Sequence, residues 1–230
     1  MLLDAVWDIV FPKHCVRCNQ EGDYLCSVCL TYVDVVTTPY CPECRRPTRY
    51  GELCASCSPL WDFDGVTICT EYNGAVKDLV HTFKYEGCSS AADLIAAFLV
   101  AGISRTKSQI GVQGDWIVIP VPMTYEKELE RGYNQASLLA CLLATELQLI
   151  VNEKSLIKTR STRSQIELTR RERLNNVKDS YGWVAAPLSG LSILLVDDIT
   201  TTGATLSECA KTLKKAGAGR VWGVVLAKGH

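Results

Sequence analysis

The chain has 230 residues, with 24 basic and 25 acidic side chains, so its formal charge at pH 7 is −1. This length allows one large domain, or one domain with a small module, and a substantial buried core. A charge so close to zero creates no overall field that would attract nucleic acid or an anionic membrane surface. Binding to such partners through net charge alone is therefore excluded.

Residues 1–10 predict a short amphipathic helix. Its polar side carries Asp4 and Asp8 and no basic residue, which favours packing on the protein itself over binding to a membrane surface. The sequence shows neither the basic region nor the small-residue cleavage site of a signal peptide, and no uncharged run of spanning length. We therefore expect a soluble, cytoplasmic protein without a transmembrane segment.

The sequence contains 12 cysteines, and eight of them form four Cys-x-x-Cys pairs near the N-terminus. Two residues between paired cysteines let backbone N–H groups turn around a sulfur-bound ion, and four thiolates complete a tetrahedral zinc site. We therefore expect two structural zinc ions, with disulfides as the alternative that a reducing compartment disfavours. The predicted ligands are Cys15, Cys18, Cys26, Cys29, Cys41, Cys44, Cys54 and Cys57.

The loop lengths between the pairs bear on how the ligands are shared. The loops from Cys18 to Cys26 and from Cys44 to Cys54 are short, which favours two sequential sites, although an interleaved arrangement stays open. This segment has few large apolar residues, so the metal is expected to supply its folding free energy. Its basic and acidic residues balance, yet the arginines near Tyr50 could form a local patch for single-stranded nucleic acid.

The composition changes after Ser58-Pro59, where the cysteine pairs end and long periodic segments begin. We place a domain boundary there, with a helix and double zinc ribbon in residues 1–60 and a second domain in residues 61–230. In the second part, buried strand patterns alternate with helical ones, which predicts an α/β fold with a parallel sheet covered by helices on both faces. Strands are predicted in residues 116–122, 149–157, 193–196 and 220–227, and a strand or hairpin in residues 61–72. Helices are predicted in residues 75–84, from Ser89 or Ser90 onward, in 135–149 and after Gly203, and residues 228–230 are predicted to be a tail.

Residues 193–205, Ile-Leu-Leu-Val-Asp-Asp-Ile-Thr-Thr-Thr-Gly-Ala-Thr, combine the clearest strand pattern with polar chemistry. Four apolar residues predict a strand buried on both faces, and Asp197 and Asp198 follow where the strand leaves the sheet. A helix begins at once, with Thr202 as its predicted cap and Gly217 just beyond its end. Outward N–H groups, threonine hydroxyls and the helix dipole make this junction a predicted anion site.

The loop has no lysine, which distinguishes it from a Walker phosphate loop. Carboxylates beside a phosphate cradle suit a ribose 5-phosphate, whose hydroxyls can donate to the acids. The stretch resembles the 5-phosphoribosyl diphosphate (PRPP) signature of type I phosphoribosyltransferases. That resemblance implies that Asp197 and Asp198 hold the ribose hydroxyls at the catalytic centre and that Mg²⁺ accompanies PRPP. It also implies a 5-phosphate site formed by Thr201, Thr202, Gly203, Ala204 and Thr205.

Basic residues elsewhere are candidates for the pyrophosphate group. Lys84 stands at a predicted helix end, and Arg131 precedes a glycine at a strand exit, where ligands bind in open parallel sheets. The polar stretch 160–176 predicts a mobile flap. From it, Arg163 and Arg173 are predicted to close over the ligand.

The order of motifs along the chain resembles the ComF family of competence proteins. It consists of four cysteine pairs ahead of a phosphoribosyltransferase core, then Arg131-Gly-Tyr-Asn-Gln, Arg163-Ser-Gln-x-x-Leu and Arg173-x-x-Asn176. The likeness covers nearly the whole chain. It implies a type I phosphoribosyltransferase fold behind a zinc-ribbon module and a role in DNA uptake during natural competence, with PRPP, single-stranded DNA and competence proteins as partners.

Three hypotheses follow for the activity. The first is an active phosphoribosyltransferase, a glycosyltransferase that moves a pentosyl group. The second is a PRPP-binding protein of DNA uptake in which binding matters without turnover, and the two are compatible. The third is a zinc-ribbon adaptor for single-stranded nucleic acid on a catalytically inert core. We favour the first hypothesis, an active enzyme. We expect residues 61–87 to determine which acceptor substrate it uses.

Overall fold

The computed structural model describes residues 12–85, 91–112, 115–160 and 170–229. The helix predicted in residues 1–10, the serine cap predicted at Ser89 or Ser90, and Arg163 lie outside the described residues. Arg173 lies in a helix whose backbone is described, without a description of that side chain.

The described strands belong to two sheets. In chain order the strands are β1 (Gly65–Glu71), β2 (Trp116–Pro120), β3 (Ile150–Val151), β4 (Leu156–Lys158), β5 (Tyr181–Trp183), β6 (Ser192–Thr200) and β7 (Arg220–Lys228). Five of them form a parallel sheet in the order β1-β7-β6-β2-β3, and β4 and β5 form an antiparallel pair. The helices are α1 (Ser27–Leu30), α2 (Gly74–Tyr85), α3 (Ala92–Ser104), α4 (Lys107–Ile110), α5 (Tyr125–Arg131), α6 (Gln135–Leu147), α7 (Arg170–Val177) and α8 (Ala204–Lys215), with a 3₁₀ turn at Ser58–Leu60.

The central strand β6 is buried from both sides. Its four apolar residues Ile193–Val196 have no exposed surface, as expected for a strand between two helical layers. One core cluster joins α2, α3 and α6 to one face of the sheet. The other joins α8 and the antiparallel pair β4–β5 to the opposite face. The predicted parallel α/β fold with helices on both faces is confirmed.

The cysteine-rich segment is fastened to the edge of this sheet. Along β1, the N–H of Val36 donates to the carbonyl of Cys69 at 3.0 Å, and the N–H of Glu71 donates to the carbonyl of Asp34 at 2.8 Å. At the other end of the strand, the N–H of Val66 donates to the carbonyl of Gly51 at 2.9 Å. These bonds cover the exposed edge that a terminal strand would otherwise present.

Two predictions about the sheet are wrong. The single strand predicted in residues 149–157 is divided between β3 and β4, because Asn152 accepts the N–H groups of Lys154 and Ser155 and turns the chain. The predicted tail is also wrong for residues 228–229: the ammonium of Lys228 donates to the carbonyl of Pro42, and the N–H of Gly229 donates to the carbonyl of Thr200 at 2.7 Å.

Other boundaries are shifted. β1 occupies the second half of the predicted strand in residues 61–72, and the polar segment after β2 contains the seven-residue helix α5, which the sequence pattern did not predict. Within the described ranges, no helix combines the length and hydropathy needed to cross a bilayer.

Candidate functional site

The described cysteines form two groups of four. One group contains Cys15, Cys18, Cys26 and Cys29, the other contains Cys41, Cys44, Cys54 and Cys57, and within each group the sulfur atoms lie within 4.8 Å of one another. The sequential arrangement is therefore confirmed over the interleaved one. Cys69, Cys141 and Cys209 belong to neither group.

The spacing of the sulfur atoms fits zinc. The Sγ atoms of Cys18 and Cys26 are 3.6 Å apart, and those of Cys44 and Cys54 are 3.7 Å apart. A tetrahedron with Zn–S bonds of about 2.3 Å has edges of about 3.8 Å, whereas a disulfide bond measures about 2.05 Å. Both groups are thus closed, four-sulfur sites suited to structural zinc.

Backbone donors prepare the first thiol of each group to ionise. Burial alone would raise the pKa of Cys15, but the N–H groups of Cys26, Cys18 and Arg17 donate to its sulfur and lower the pKa to about 6. In the same way, neighbouring N–H groups overcome the effect of burial on Cys41 and lower its pKa to about 7. A thiolate is the form that binds metal, so this arrangement supports ligation.

Asp197 and Asp198 lie at the carboxyl end of β6 and point to opposite faces of the sheet. Alternate residues of a strand share a face, and Ile193 and Leu195 lie in the core cluster that contains α8, whereas Leu194 lies in the cluster with α2, α3 and α6. Asp197 therefore faces the α8 side and Asp198 the α2 side. Their neighbouring groups differ accordingly.

Asp198 forms an ion pair with Lys84, the penultimate residue of α2. The Nζ atom of Lys84 lies 2.6 Å from Oδ2 of Asp198, while Oδ1 accepts the N–H of Ile199 at 2.7 Å. Burial would lower the pKa of Lys84, but attraction by Asp198 and Asp197 outweighs it and raises the pKa. The lysine is thus held charged at the sheet edge. The structure brings together these residues, which are far apart in sequence.

Asp197 is in a less favourable environment. Burial, followed by the charge of Asp198, raises its pKa well above the ordinary value for an aspartate, and the positive charge of Lys84 only partly opposes this. Its Oδ1 accepts the N–H of Asp198 at 2.9 Å. A proton or a ligand hydroxyl bound at Asp197 would relieve this cost.

The loop between β6 and α8 has the geometry expected for anion binding. Gly203 caps the helix with a left-handed backbone, φ 85°, and the hydroxyl of Thr202 accepts the N–H of Ala204 at 3.3 Å. Thr202 therefore contributes a capping bond as predicted, although Gly203 occupies the cap position. Thr201, Thr202 and Thr205 are partly exposed, whereas Gly203 and Ala204 are buried.

Arg131 ends α5 close to the Lys84–Asp198 pair. Its guanidinium donates to Oε1 of Gln135 at 3.1 Å and lies over the ring of Tyr85, 5.3 Å from the ring centre. Its positive charge is one of those that act on the pKa of Lys84. The two predicted pyrophosphate residues are therefore neighbours in space.

The antiparallel pair β4–β5 adds two residues that the sequence analysis missed. Lys158 on β4 lies opposite Tyr181 on β5, and its ammonium lies 5.5 Å from the centre of the Tyr181 ring. Burial lowers the pKa of Lys158, the charge of Lys127 lowers it further, and Asp197 opposes both. Tyr181 hydrogen-bonds Thr205. No local signal marked these residues, because the pairing of β4 with β5 is what brings them to the loop between β6 and α8.

Lys158 also lines an open groove of about 940 Å³ beside the exit of β2. The segment between β2 and α6 contributes Met123, Gly132 and Tyr133 to the groove, the turn before β4 contributes Lys154, and β4 itself contributes Ile157. This volume lies in the range of small-molecule sites.

Comparison with known proteins places these features in a family. A family model described as a double zinc ribbon domain matches residues 6–58. DNA utilization protein YhgH of Salmonella typhimurium is 30% identical over 201 residues, which cover 86% of this chain and 87% of that protein. Competence protein ComFC of Bacillus subtilis is 30% identical over 226 residues, which cover 93% of this chain and 85% of that protein.

Among solved structures, a purine phosphoribosyltransferase from Pyrococcus horikoshii matches with 17% identity and a TM-score of 0.38, covering 60% of this chain and 73% of that chain. The two relatives match along most of their own length and most of this chain. This chain belongs to the ComF family, which includes competence protein ComFC and DNA utilization protein YhgH.

Proposed function

We propose that this chain binds PRPP with Mg²⁺ at the carboxyl end of β6 and acts as a phosphoribosyltransferase in DNA utilisation. One observation carries the proposal: two carboxylates directly precede a glycine-capped helix start, and Lys84 lies against one of them. This arrangement offers acceptors for sugar hydroxyls, donors for a phosphate and a cation for a second anionic group.

The phosphate loop would hold the 5-phosphate. A left-handed backbone like that at Gly203 is the conformation in which successive N–H groups can share one anion, and the dipole of α8 would add partial positive charge there. Hydroxyls of Thr201 and Thr205 at partly exposed positions would supply further donors.

The two acids would hold the ribose hydroxyls, and the nearby cations would hold the pyrophosphate. Lys84, Arg131 and Lys158 surround the acids from three different elements. Burial and Arg131 oppose the charge of Lys84, and burial and Lys127 oppose that of Lys158, so the negative charge of a polyphosphate ligand would offset these effects. We also propose that Arg163 and Arg173, from the flap, contact the pyrophosphate.

In the proposed transfer, the bond between the anomeric carbon and the pyrophosphate oxygen breaks, and its electron pair leaves with pyrophosphate. A nucleophile on the acceptor forms the new bond to that carbon and loses its proton. The residues Lys84 and Arg131 would stabilise the negative charge on the leaving group. Bound Mg²⁺, held largely by ligand oxygens and water, would neutralise the same charge.

Calorimetric titration with PRPP and Mg²⁺ tests the binding. We expect wild type to bind and the double variant Asp197→Asn/Asp198→Asn to lose binding, with unchanged affinity in that variant overturning the proposal. Thr145→Ala, on the outer face of α6, is the control and should bind like wild type. Release of pyrophosphate that requires Mg²⁺ and an added acceptor would separate turnover from binding.

A second candidate function rests on the surface of the zinc ribbons. Three arginines lie over tyrosine rings there: Arg17 over Tyr32 at 5.1 Å, Arg45 over Tyr40 at 5.9 Å and Arg49 over Tyr50 at 5.1 Å. Tyr32 is exposed, whereas Tyr40 and Tyr50 are half-buried. Arginines and aromatic rings that share one surface are typical of single-strand binding sites. This feature supports a zinc-ribbon adaptor that contacts single-stranded DNA.

Fluorescence anisotropy with labelled single-stranded DNA at several salt concentrations tests the second function. We expect affinity to fall steeply with salt and the Arg45→Gln/Arg49→Gln variant to bind more weakly. DNA affinity that ignores both salt and these arginines would overturn it. The names of the relatives, DNA utilization protein and competence protein, support a role in DNA uptake for either function. We propose competence proteins as the partners in that role and the cytoplasm as its location.

A further inference from the structure

The second cysteine group is joined directly to the segment beneath the phosphate loop. The N–H of Ser58 donates to the carbonyl of Cys54 at 2.9 Å, and the N–H of Leu60 donates to the carbonyl of Cys57 at 3.0 Å. The turn around the metal site therefore continues into the 3₁₀ turn Ser58–Leu60 without a flexible spacer. Trp61 is the next residue.

Trp61 and Phe63 form an aromatic support for the loop. Their ring centres are 5.6 Å apart at an interplanar angle of 23°, and Phe63 is 3% exposed. A Cβ atom on Gly203 would lie 3.6 Å from atoms of both rings. The backbone of the helix cap thus rests on this aromatic pair.

Asp62, between these two aromatic residues in sequence, forms two hydrogen bonds with Ser207 of α8. The N–H of Asp62 donates to Oγ of Ser207 at 3.1 Å, and that hydroxyl donates to Oδ2 of Asp62 at 3.1 Å. Ser207 lies in the first turn of α8 and is 7% exposed. Because the serine is engaged on both its donor and acceptor sides, residues 61–63 and the start of α8 hold one relative position.

The two metal sites differ in what they support. Cys41 and Cys57 share a buried cluster with Phe63, Ala204 and Leu206, which belong to the loop and its helix. The first cysteine group packs in the other cluster, on the opposite face of the sheet. Within the described segments of the chain, the second site is therefore the one that packs with the loop between β6 and α8.

We infer that Trp61, Asp62 and Phe63 are positioning residues for the phosphate loop and that the metal held by Cys41, Cys44, Cys54 and Cys57 sets their position. Without that metal the Cys54–Cys57 turn is no longer fixed, so residues 61–63 lose one of their two attachments. The loop amides then sample more orientations, and ordering them on a phosphate costs binding free energy. The ligand half of this inference rests on the proposed PRPP site, whereas the coupling of metal to loop does not.

The test compares Cys44→Ser with Cys18→Ser, since each removes one exposed ligand from one group. Metal analysis first verifies that each variant has lost one zinc. Hydrogen exchange of the amides of residues 201–205 then reports loop order. We expect about tenfold faster exchange in Cys44→Ser and a change under about twofold in Cys18→Ser. Equal exchange in the two variants would overturn the coupling.

Trp61→Ala tests the aromatic support with both metal sites intact. We expect two zinc ions per chain, faster exchange of residues 201–205, and PRPP affinity about tenfold weaker, a difference of about 1.4 kcal/mol. Trp61→Phe should restore part of both measurements, because its ring can still stack on Phe63, which also contacts Gly203, although it lacks the Cη2 atom of Trp61. Loop exchange unchanged in Trp61→Ala would overturn the role of Trp61.

The outcomes for the two proposals are separable. If wild type binds no PRPP but loop exchange still follows the second metal site, the proposed function fails and the coupling stands. If PRPP binds with wild-type affinity in Cys44→Ser and Trp61→Ala, the positioning inference fails and the proposed function stands.

Discussion

The ammonium of Lys84 lies 2.6 Å from Oδ2 of Asp198 and thereby joins the last turn of α2 to the carboxyl end of β6. The side chains are 17% and 7% exposed, so the pair is largely shielded from water. A carboxylate in this position is oriented before any ligand arrives. The same contact places a cation beside the proposed sugar site.

Lys84→Met should destabilise the protein, because it leaves Asp198 buried without its partner. Removing one member of a buried pair costs about 3–5 kcal/mol, to be measured by chemical denaturation at pH 7. Lys77→Met, at an exposed position of the same helix, should change stability by less than about 0.5 kcal/mol. Lys84→Met/Asp198→Leu should recover much of the loss, and a double variant as unstable as the single one would contradict this account.

The raised pKa of Lys84 also predicts a pH dependence at the alkaline end. The folded state holds this proton more tightly than the unfolded state, so the stabilisation is fully present below about pH 10, the ordinary lysine pKa. It is lost as pH rises through the folded-state pKa. Lys84→Met should lack this alkaline loss.

Asp197→Asn should make the ligand-free protein more stable at neutral pH, in contrast to Asp198→Asn. The pKa of Asp197 is raised, so its ionisation in the folded state costs free energy. Relative to wild type, the gain should be absent below about pH 4, the ordinary aspartate pKa, grow between that pH and the folded-state pKa, and stay constant above it. Melting temperatures across this pH range measure it. Equal changes in the two variants would contradict the different environments of the acids.

Gly203→Ala should weaken phosphate binding more than it weakens the fold. The residue has φ 85°, which costs an alanine about 1 kcal/mol. The added methyl group would contact the rings of Trp61 and Phe63 at 3.6 Å, so a change in backbone angle that relieves the strain would move the loop itself. Gly217→Ala carries the same backbone cost at φ 95°, at the far end of α8. We expect similar melting temperatures for both variants and a loss of PRPP affinity in Gly203→Ala alone, measured by calorimetry. A matching loss in Gly217→Ala would contradict a direct role for the loop.

Native mass spectrometry should find two zinc ions per chain and no disulfide. Cys18→Ser and Cys44→Ser should each retain one ion, while Cys141→Ser, outside both groups, should retain two. A strong chelator should lower the melting temperature, since metal binding contributes to folding of such modules. Two ions in either ligand variant would contradict the assignment of that group.

Much of the site was predictable because its residues are consecutive. Residues 193–205 form the strand, loop and helix start that the pattern indicates, and the paired cysteines form groups because two-residue gaps leave little freedom. Local signals failed where geometry depends on distant residues. The division of residues 149–157 followed from one asparagine side chain. Lys228, the last residue of β7, and Gly229 after it are held by the carbonyl groups of Pro42 and Thr200.

The amino-acid sequence by itself determined the alternation of strands and helices, the two sulfur sites and the acidic pair before the loop between β6 and α8. All of these depend on spacing within short segments, where the chain has few alternative conformations. Only the tertiary structure decided which cation meets which acid: the pleat of β6 directs Asp198 toward Lys84 and Asp197 toward the side of Lys158. It also placed Trp61 and Phe63 under Gly203, about 140 residues further along the chain, because packing across the sheet is not encoded in any local pattern.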